Sequence, residues 1–347
     1  MDVRVFFWLK YRLHHKLPHS VWFFFSSKIS KFRDKKYLEK AKSFGNLNPD
    51  LTFYVIRRRP PGWGFFSNIL FVCQGILYAR NNGYIPVVDM QNYWIKELSS
   101  LKAINGTYNA WCYFFDQPSK VSLEEVYRSK NVILSDGSAP MGRDHAFSVR
   151  TRELIDNPVN LQLLREIVTS SIILNEPINQ EIESRKKLLM FTPQNTLAVF
   201  IRGTVYFNDV TKSGFSVPDL EYFLRQVSDT LVSNSIKKLF IVTEDYRIYN
   251  IMLQKFREYD IVRSIRFENN LSESEWLKSQ QTSFDGGVIM GYDKTLVYLA
   301  EAILLSSCHY FIGTYSNLSA FVLASSDLSK GEHKIVLKNR VITLTNL

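Results

Sequence analysis

Arg202 is the side chain of this sequence best placed to bind an anion. Residues 196–201, Thr-Leu-Ala-Val-Phe-Ile, form an apolar run that predicts a strand buried on both faces of a parallel sheet. The arginine follows at the carboxyl end of that strand, the edge where open α/β sheets bind ligands. Its guanidinium fork suits a phosphate, although an ion pair with a neighbouring carboxylate is an equally good interpretation of this segment alone. Gly203 and Thr204 continue the turn and belong to the predicted site.

A second anion-binding element is predicted near the end of the chain. His309–Ile312 predicts a strand and Leu318–Ser326 a helix, with the sequence Gly-Thr-Tyr-Ser-Asn at 313–317 between them. Hydroxyl groups at a helix N-terminus, together with backbone N–H groups and the helix dipole, suit a phosphate, and with Arg202 they would hold a diphosphate. The alternative is a turn that only caps the helix. The residues assigned to this element are Thr314, Tyr315, Ser316 and Asn317.

A glycine-rich turn opens an earlier α/β segment. Phe53–Ile56 predicts a strand, 66–80 a helix and 84–89 a second strand, with Gly62 and Gly64 in the first turn. The turn lacks the third glycine of a dinucleotide fingerprint, so we interpret its glycines as allowing close backbone approach, an ordinary tight turn being the alternative. We expect Ser67 or Asn68 to cap the helix. The ligand-binding residues predicted here are Gly64, Phe65, Ser67, Asn68 and the strand-end carboxylate Asp89.

The remaining pattern alternates predicted strands and helices and indicates two α/β domains with parallel sheets. Further strands are predicted at 131–134, 238–243 and 262–267, and further helices at 122–129, 151–154, 160–187, 218–233, 246–258 and 294–307. Glu244 and Asp245 follow the strand at 238–243, which places them beside Arg202 if the two strands are neighbours. The expected boundaries are a segment at 1–45, a first domain at 46–190 and a second at 191–347.

The positive charge of the chain is concentrated at its start. The 347 residues carry a net charge of +10, and residues 1–45, with 11 Lys/Arg and 3 Asp/Glu, account for +8 of it. Aromatic residues are interleaved with these cations, as in segments that lie on anionic membrane surfaces. Packing of the aromatic residues on the first domain is the alternative; nucleic-acid binding ranks third because no recognition motif accompanies the charge. The longest uncharged stretch, 17–27, is too short and polar to cross a bilayer.

Three cysteines indicate a reducing compartment. Cys73, Cys112 and Cys308 are odd in number and widely spaced, which favours free thiols in the cytoplasm over a disulfide framework. Together with the basic segment, they predict a cytoplasmic protein peripheral to the inner membrane. No Asp-x-Asp motif is present in the sequence, so no metal site is expected.

Five short motifs of this chain form a series that resembles one known superfamily. They are Gly62-x-Gly64-Phe65-Phe66-Ser67, Pro86-Val87-Val88-Asp89, Arg202-Gly203-Thr204, Thr243-Glu244-Asp245, and Leu305-Ser306 with Phe311-Ile312-Gly313-Thr314-Tyr315-Ser316-Asn317. The series resembles the GDP-fucose-dependent fucosyltransferases, a superfamily of α-1,6-, α-1,2- and protein O-fucosyltransferases, and most of all bacterial O-fucosyltransferase-like proteins. It covers roughly residues 50–347. The resemblance implies a GT-B-like fold, with two Rossmann-type domains facing across a cleft and the sugar nucleotide held mainly by the second.

The resemblance also assigns roles to residues. Arg202 matches the arginine of the family's H-x-R motif, which binds the donor diphosphate, and Glu244-Asp245 matches the acidic turn near the nucleotide. The chain departs from the family at Phe200, Val205 and Phe215, which replace the histidine of H-x-R, an aspartate and a histidine.

These departures leave the donor sugar and the acid/base group open. The implied reaction is inverting, metal-independent transfer of a sugar, fucose above all, from a nucleotide sugar to a glycan acceptor, with no cofactor. A lipid could carry this acceptor in bacterial surface polysaccharide synthesis. Candidates for the general base are Asp209, Asp89 and Glu301, of which Asp209 is carried forward with Arg202 as catalytic. The alternative function is a non-catalytic sugar-nucleotide-binding or scaffold protein of a polysaccharide assembly complex.

Overall fold

Two α/β units make up the chain. The computed structural model describes residues 39–58, 64–91, 103–137, 151–202, 218–262, 292–338 and 340–344. Of these, unit 1 contains the described residues up to 137 with 170–175 and 292–295, and unit 2 contains those at 151–169, 176–262 and 296–344. Residues 1–38, which carry most of the predicted membrane-surface segment, lie outside the described residues.

Unit 1 is built on a four-stranded sheet. Its strands are β1 (Lys40–Lys42), β2 (Leu47–Ile56), β3 (Ile85–Val88) and β4 (Ser129–Leu134), and its described helices are α1 (Phe65–Asn81), α2 (Leu123–Val126) and a 3-10 turn at Ala110–Tyr113. The strand order is β1-β4-β2-β3, in which β4, β2 and β3 are parallel and β1 is antiparallel to β4. The chain leaves β2 toward β3 on one side and returns as β4 on the other. The order therefore reverses between β2 and β4.

Helix α1 packs closely on β2 because a glycine faces the strand. A Cβ atom at Gly75 would lie 2.9 Å from Ile56 Cδ1, so a larger residue there would push the helix off the sheet. The helix ends at Asn81, and Gly83, at a φ of 71°, forms the turn into β3. The fixed approach of α1 sets which side chains cover the carboxyl end of β2.

Unit 2 is built on a six-stranded sheet. Its strands are β5 (Thr196–Ile201), β6 (Lys238–Thr243), β7 (Asp260–Val262), β8 (Tyr310–Thr314), β9 (His333–Val336) and β10 (Val341–Leu344). The order is β10-β9-β8-β5-β6-β7; all neighbours are parallel except β9 and β10, which form an antiparallel pair. The order reverses between β5 and β8, so a Rossmann-type crevice is expected at their carboxyl ends.

The helices of unit 2 come from both sides of β5 in the sequence. They are α3 (Thr151–Asp156), α4 (Pro158–Ser171), α5 (Glu176–Leu188), α6 (Leu220–Ser233), α7 (Tyr246–Lys255), α8 (Tyr292–Ser307) and α9 (Asn317–Ser325). On one face of β5, Val199 and Ile201 are fully buried in a cluster with Phe223 of α6 and Ile248 of α7. Helices α4 and α8 each contribute residues to both units.

Arg165 of α4 ties the early helices to the end of the chain within unit 2. Its Nη1 donates to the carbonyl oxygens of Leu323 (2.9 Å) and Ser326 (2.7 Å), at the C-terminal end of α9. Carbonyls in the last turn of a helix have no intrahelical partner, and a cation there is favourable with respect to the helix dipole. The helix whose N-terminus belongs to the predicted anion site is thus held at its other end.

The predicted fold class, two α/β units with largely parallel sheets, is confirmed. Several details differ from the prediction. The helix predicted at 160–187 is two helices, since the chain breaks at 172–175 before Pro177, and residues 151–169 and 176–190 go with the second sheet rather than the first. The strand predicted at 262–267 is Asp260–Val262, as far as the described residues extend, and β9 and β10 had no predicted counterpart.

Candidate functional site

The carboxyl ends of β5 and β8 bring the two predicted anion-binding elements together. In the parallel pair, Phe200 lies opposite Gly313, so Arg202 and Thr314 follow on adjacent strands at the point where the strand order reverses. The backbone N–H of Arg202 donates to Thr314 Oγ1 at 3.0 Å. This hydrogen bond fixes the start of one turn against the end of the neighbouring strand.

Helix α9 starts at this edge, and hydroxyl groups define its first turn. Ser316 is the N-cap, and its Oγ accepts a hydrogen bond from the N–H of Ser319 at 3.0 Å. Ser319 Oγ in turn donates to the carbonyl oxygen of Thr314 at 2.6 Å. A Cβ atom at Gly313 would lie 2.6 Å from Phe311 Cζ and 3.0 Å from Ser319 Oγ. A side chain at position 313 would therefore displace the Phe311 ring and press on the hydroxyl that joins α9 to the strand.

The arrangement can hold an anion in two ways. The first turn of α9 presents backbone N–H groups and the positive end of the helix dipole, and Arg202, which is half-buried, supplies a guanidinium group on the adjacent strand. The Ser316 hydroxyl caps the helix, as the alternative interpretation predicted, because it accepts a hydrogen bond from the N–H of Ser319. Tyr315 is buried and Asn317 is half-buried, so of the predicted loop residues Asn317 is the more accessible.

The acidic turn after β6 has a structural role in this geometry. Asp245 is buried and caps α7, accepting from the N–H of Arg247 at 2.9 Å and from its guanidinium Nε at 3.0 Å and Nη2 at 2.6 Å. Glu244 is half-buried and accepts from Tyr298 Oη at 3.1 Å. The prediction placed both beside the nucleotide; the contacts of Asp245 make it a positioning residue for α7, and Glu244 remains the candidate to face a ligand.

The candidate bases differ in their surroundings. Asp89, at the end of β3 in unit 1, is buried and accepts hydrogen bonds from Tyr127 Oη and from the N–H of Gln91. Glu301, in α8, is fully buried, as Asp89 is. Asp209, with Gly203, Thr204, Val205 and Phe215, lies outside the described residues.

The turn before α1 differs from the prediction at its cap. Gly64, in extended conformation, is the N-cap, and the helix begins at Phe65; Ser67 and Asn68 lie inside the first turn and do not cap it. Asn68 donates its backbone N–H to the carbonyl of Gly64 at 3.1 Å. Phe65 packs against Phe114 with ring centroids 5.3 Å apart. A small apolar pocket in this part of unit 1 is lined by Phe65, Asn68, Ile69, Met90, Trp111 and Phe114 among others.

Two arginines at the carboxyl end of β2 were not among the predicted site residues. Arg57 donates its backbone N–H to Ser135 Oγ at 3.0 Å and its Nε to the Ser135 carbonyl at 2.7 Å. Arg58 is almost fully buried, with its guanidinium carbon 4.3 Å from the ring centroid of Phe71. The signal that could have found them is the one used for Arg202, a cation directly after a buried strand.

Other predicted features have the following outcomes. Cys73, Cys112 and Cys308 are free thiols, and burial raises the pKa of all three, that of Cys112 to about 11. Phe200, at the position of the family histidine, is fully buried in β5. Within the described ranges, no three metal-ligating side chains cluster, and no helix has the length and apolar character needed to cross a membrane.

Comparison with known proteins gives similarity in structure alone. No protein-family model matches the chain, and no curated protein matches it significantly. Similar solved structures include NodZ α-1,6-fucosyltransferase with GDP (13% identity, TM-score 0.46, 86% of this chain and 99% of that one). A mutant of Arabidopsis thaliana FUT1 with GDP is also similar, at 10% identity and a TM-score of 0.43 over 85% of this chain and 73% of that one. So is apo POFUT1, at 11% identity and a TM-score of 0.41 over 82% of this chain and 98% of that one. Likeness at this level concerns the course of the chain and says nothing about individual residues.

Proposed function

We propose that this protein is a glycosyltransferase that transfers a sugar from a nucleotide sugar to a glycan acceptor, without a metal ion and with inversion at the anomeric carbon. One observation carries the proposal: a half-buried arginine and a helix N-terminus meet at the reversal point of the second sheet, linked by the Arg202–Thr314 hydrogen bond. A diphosphate is the ligand that this combination of guanidinium, backbone N–H groups and helix dipole suits best.

The proposed chemistry follows from what these groups stabilise. In an inverting transfer the acceptor oxygen attacks the anomeric carbon while the bond from that carbon to the diphosphate oxygen breaks. Negative charge then grows on the diphosphate. The hydrogen bonds of Thr314, Ser316 and Ser319 fix the backbone at Arg202 and the first turn of α9 before the reaction, so these elements stabilise this charge with little rearrangement. The acceptor proton leaves to a base, for which Asp209, Asp89 and Glu301 are the proposed candidates.

A sugar-nucleotide panel tests the proposal. The donor we propose is GDP-fucose, on the strength of the motif resemblance, and the acceptor belongs to bacterial surface polysaccharide synthesis. Titration with GDP-fucose, GDP-mannose, UDP-glucose and GDP should give the tightest binding for GDP-fucose, followed by slow release of free fucose when no acceptor is present. Absence of binding by every nucleotide sugar would remove the proposal.

A second function has one observation in its favour. The position of the family histidine is occupied by Phe200, a fully buried side chain of β5 that cannot take part in proton transfer. A protein that binds the sugar nucleotide without turning it over, as part of a polysaccharide assembly complex, would need no such group. Binding of GDP-fucose with no release of free fucose over hours, and no transfer to any acceptor, would favour this second function.

We also propose that residues 1–45 bring the protein to the cytoplasmic face of an anionic membrane, where a lipid-linked acceptor is presented. The described residues at the end of this segment and directly after it have the same character. Lys42 lies 5.8 Å from the ring centroid of Phe44, and Phe44, Leu47 and Leu51 are exposed large apolar side chains. Cations beside exposed apolar groups favour an anionic interface, each cation near the surface contributing about 1 kcal/mol.

Vesicle sedimentation tests the membrane proposal. Binding to vesicles with anionic lipid should exceed binding to neutral vesicles, and it should weaken as salt is raised because the attraction is Coulombic and screened. A chain that lacks residues 1–38 should lose this binding and stay in solution. Equal binding to both vesicle types, or aggregation of the shortened chain, would instead favour packing of the aromatic residues on the first unit.

A further inference from the structure

Arg58 occupies an unusual place at the carboxyl edge of the first sheet. It lies two residues beyond the end of β2, on the side of the strand that α1 covers. Gly75 of α1 faces Ile56, and one turn earlier on the helix Phe71 places its ring 4.3 Å from the guanidinium carbon of Arg58. The side chain is 9% exposed. The close approach of α1 thus holds a guanidinium against an aromatic face, almost out of water.

This cation has no anionic or hydrogen-bonding partner in the described part of the chain. Its Nε is buried and forms no hydrogen bond, and no hydrogen bond or ion pair joins its terminal nitrogens to the described residues. Burial lowers the pKa of Arg58 to about 10, and no carboxylate of the described residues counters that effect. Its neighbour Arg57 differs, because the Ser135 carbonyl accepts from its side chain and the Ser135 hydroxyl accepts from its backbone N–H.

A buried cation of this kind is costly to the free protein. Buried charges in proteins are as a rule paired, and an unpaired one loses its hydration without a replacement. The Phe71 ring offsets part of this loss through its negative face. A guanidinium carries its donors in one plane, so a planar oxyanion is the partner best suited to replace the hydration that this group has lost. Desolvated groups without a partner at a ligand-binding edge are characteristic of functional sites.

We propose that Arg58 recognises an oxyanion, the carboxylate or phosphate group of an anionic glycan acceptor. The proposal rests on the proposed function in that it assigns the acceptor to unit 1. Under the proposed function the diphosphate of the donor is bound in unit 2, by Arg202 and the first turn of α9. Arg58 is therefore available to bind the other substrate, the acceptor, and its positive charge predicts that the acceptor is acidic.

The test uses the full chain and three sugar probes at millimolar concentration. Methyl β-D-glucuronide offers a carboxylate, glucose 1-phosphate offers a phosphate, and methyl β-D-glucoside is the neutral match. The thermal midpoint and calorimetric affinity are measured for the wild type, Arg58→Gln and Arg128→Gln. Arg128 is the matched control, because it is an exposed arginine of the same unit paired with Glu124. At least one anionic probe should bind and lose at least about tenfold in affinity in Arg58→Gln, but not in Arg128→Gln.

The probe that binds identifies the source of the oxyanion. Preference for the glucuronide assigns a uronic acid in the acceptor, and preference for glucose 1-phosphate assigns a phosphate linkage such as that of a lipid carrier. Equal binding of the anionic probes to wild type and Arg58→Gln, or no binding by either, would overturn the proposal. So would loss of GDP-fucose affinity in Arg58→Gln, because the oxyanion would then belong to the donor. Arg58-dependent binding of an anionic sugar by a protein that binds no nucleotide sugar would overturn the proposed function and leave this site standing.

A stability measurement gives a second, independent readout. Arg58→Met keeps the length of the side chain and its contact with Phe71 and removes the unpaired charge. It should raise the thermal midpoint of the free protein by about 2 °C or more while abolishing the response to the anionic probe. A lower midpoint in both Arg58→Met and Arg58→Gln would show that the charge stabilises the fold and would overturn the proposal.

Discussion

In both units an arginine at the point where the strand order reverses donates its backbone N–H to a hydroxyl group of the neighbouring strand end, but the two arginine side chains differ in burial. In unit 2 the N–H of Arg202 donates to Thr314 Oγ1, and in unit 1 the N–H of Arg57 donates to Ser135 Oγ, both at 3.0 Å. Arg57 then folds back on the Ser135 carbonyl and is 1% exposed, whereas Arg202 stays half-buried. Arg57 therefore closes the edge of the first sheet, and we propose that the more exposed Arg202 faces a ligand.

Removing Arg202 should have the largest effect. Arg202→Ala deletes the fixed cation at the diphosphate, and we expect at least about a 100-fold loss in kcat/KM with little change in the thermal midpoint. Arg202→Lys should recover little of it, because a point charge does not replace a bidentate fork. Steady-state kinetics with GDP-fucose measure both; near-normal turnover in the alanine variant would make Arg202 another edge-closing arginine like Arg57.

Removing Arg57 should affect the fold rather than the ligand. Arg57→Ala leaves the Ser135 carbonyl without its donor and a cavity beside β4, so the free energy of unfolding should fall by about 2–4 kcal/mol. Urea unfolding gives this value, and GDP-fucose affinity of the folded fraction should stay within about twofold of wild type. A stable Arg57→Ala protein with impaired donor binding would break the distinction between the two arginines.

The hydroxyl partners give a matched pair with smaller effects. Thr314→Val and Ser135→Ala each leave one backbone N–H without its acceptor, and each should lower the free energy of unfolding by about 1–2 kcal/mol. In Thr314→Val the turn that carries Arg202 is also released, so GDP-fucose affinity should fall several-fold, while Ser135→Ala should leave it unchanged. Thr314→Ser keeps the acceptor oxygen and should restore affinity. Equal donor affinity in all three variants would argue against preorganisation by this bond.

Metal removal should have no effect at all. In the proposed site the diphosphate charge has Arg202 and the helix N-terminus as partners, so we expect the same rate of fucose release with EDTA as with added Mg²⁺ or Mn²⁺. Activity lost in EDTA and restored by either metal would assign part of the charge stabilisation to a cation and reduce the role of Arg202.

The predictable parts of this molecule are those that local sequence determines. The apolar run before Arg202 could only be a buried strand, and Gly313 followed by hydroxyl residues predicted the turn into α9. Arg58 was missed although it follows a strand as Arg202 does, because its isolation depends on Phe71, which the close packing of α1 brings to it. Strand β9 begins with a histidine and a lysine and is too short for a clear pattern, yet its Ile335 is fully buried.

Domain boundaries were the least predictable feature, since they depend on contacts between distant parts of the chain. The predicted boundary at 190 rests on composition and on the start of an apolar strand. Nothing in the local sequence of α4 indicates that it belongs with the second sheet, because the first strand of that sheet, β5, follows it in the chain. Its membership depends on contacts such as those of Arg165 with the end of α9, which no periodicity reveals.

The contact of Arg165 with α9 has a consequence for how the protein is made. On the ribosome, α4 emerges before every strand of the second sheet and must wait for the carbonyls of Leu323 and Ser326, which are synthesised near the end. Unit 1 waits too, because residues 292–295 complete it. Neither unit is therefore continuous in the sequence, and an expression clone that starts at 191 would lack the Arg165 side chain that contacts the C-terminal end of α9.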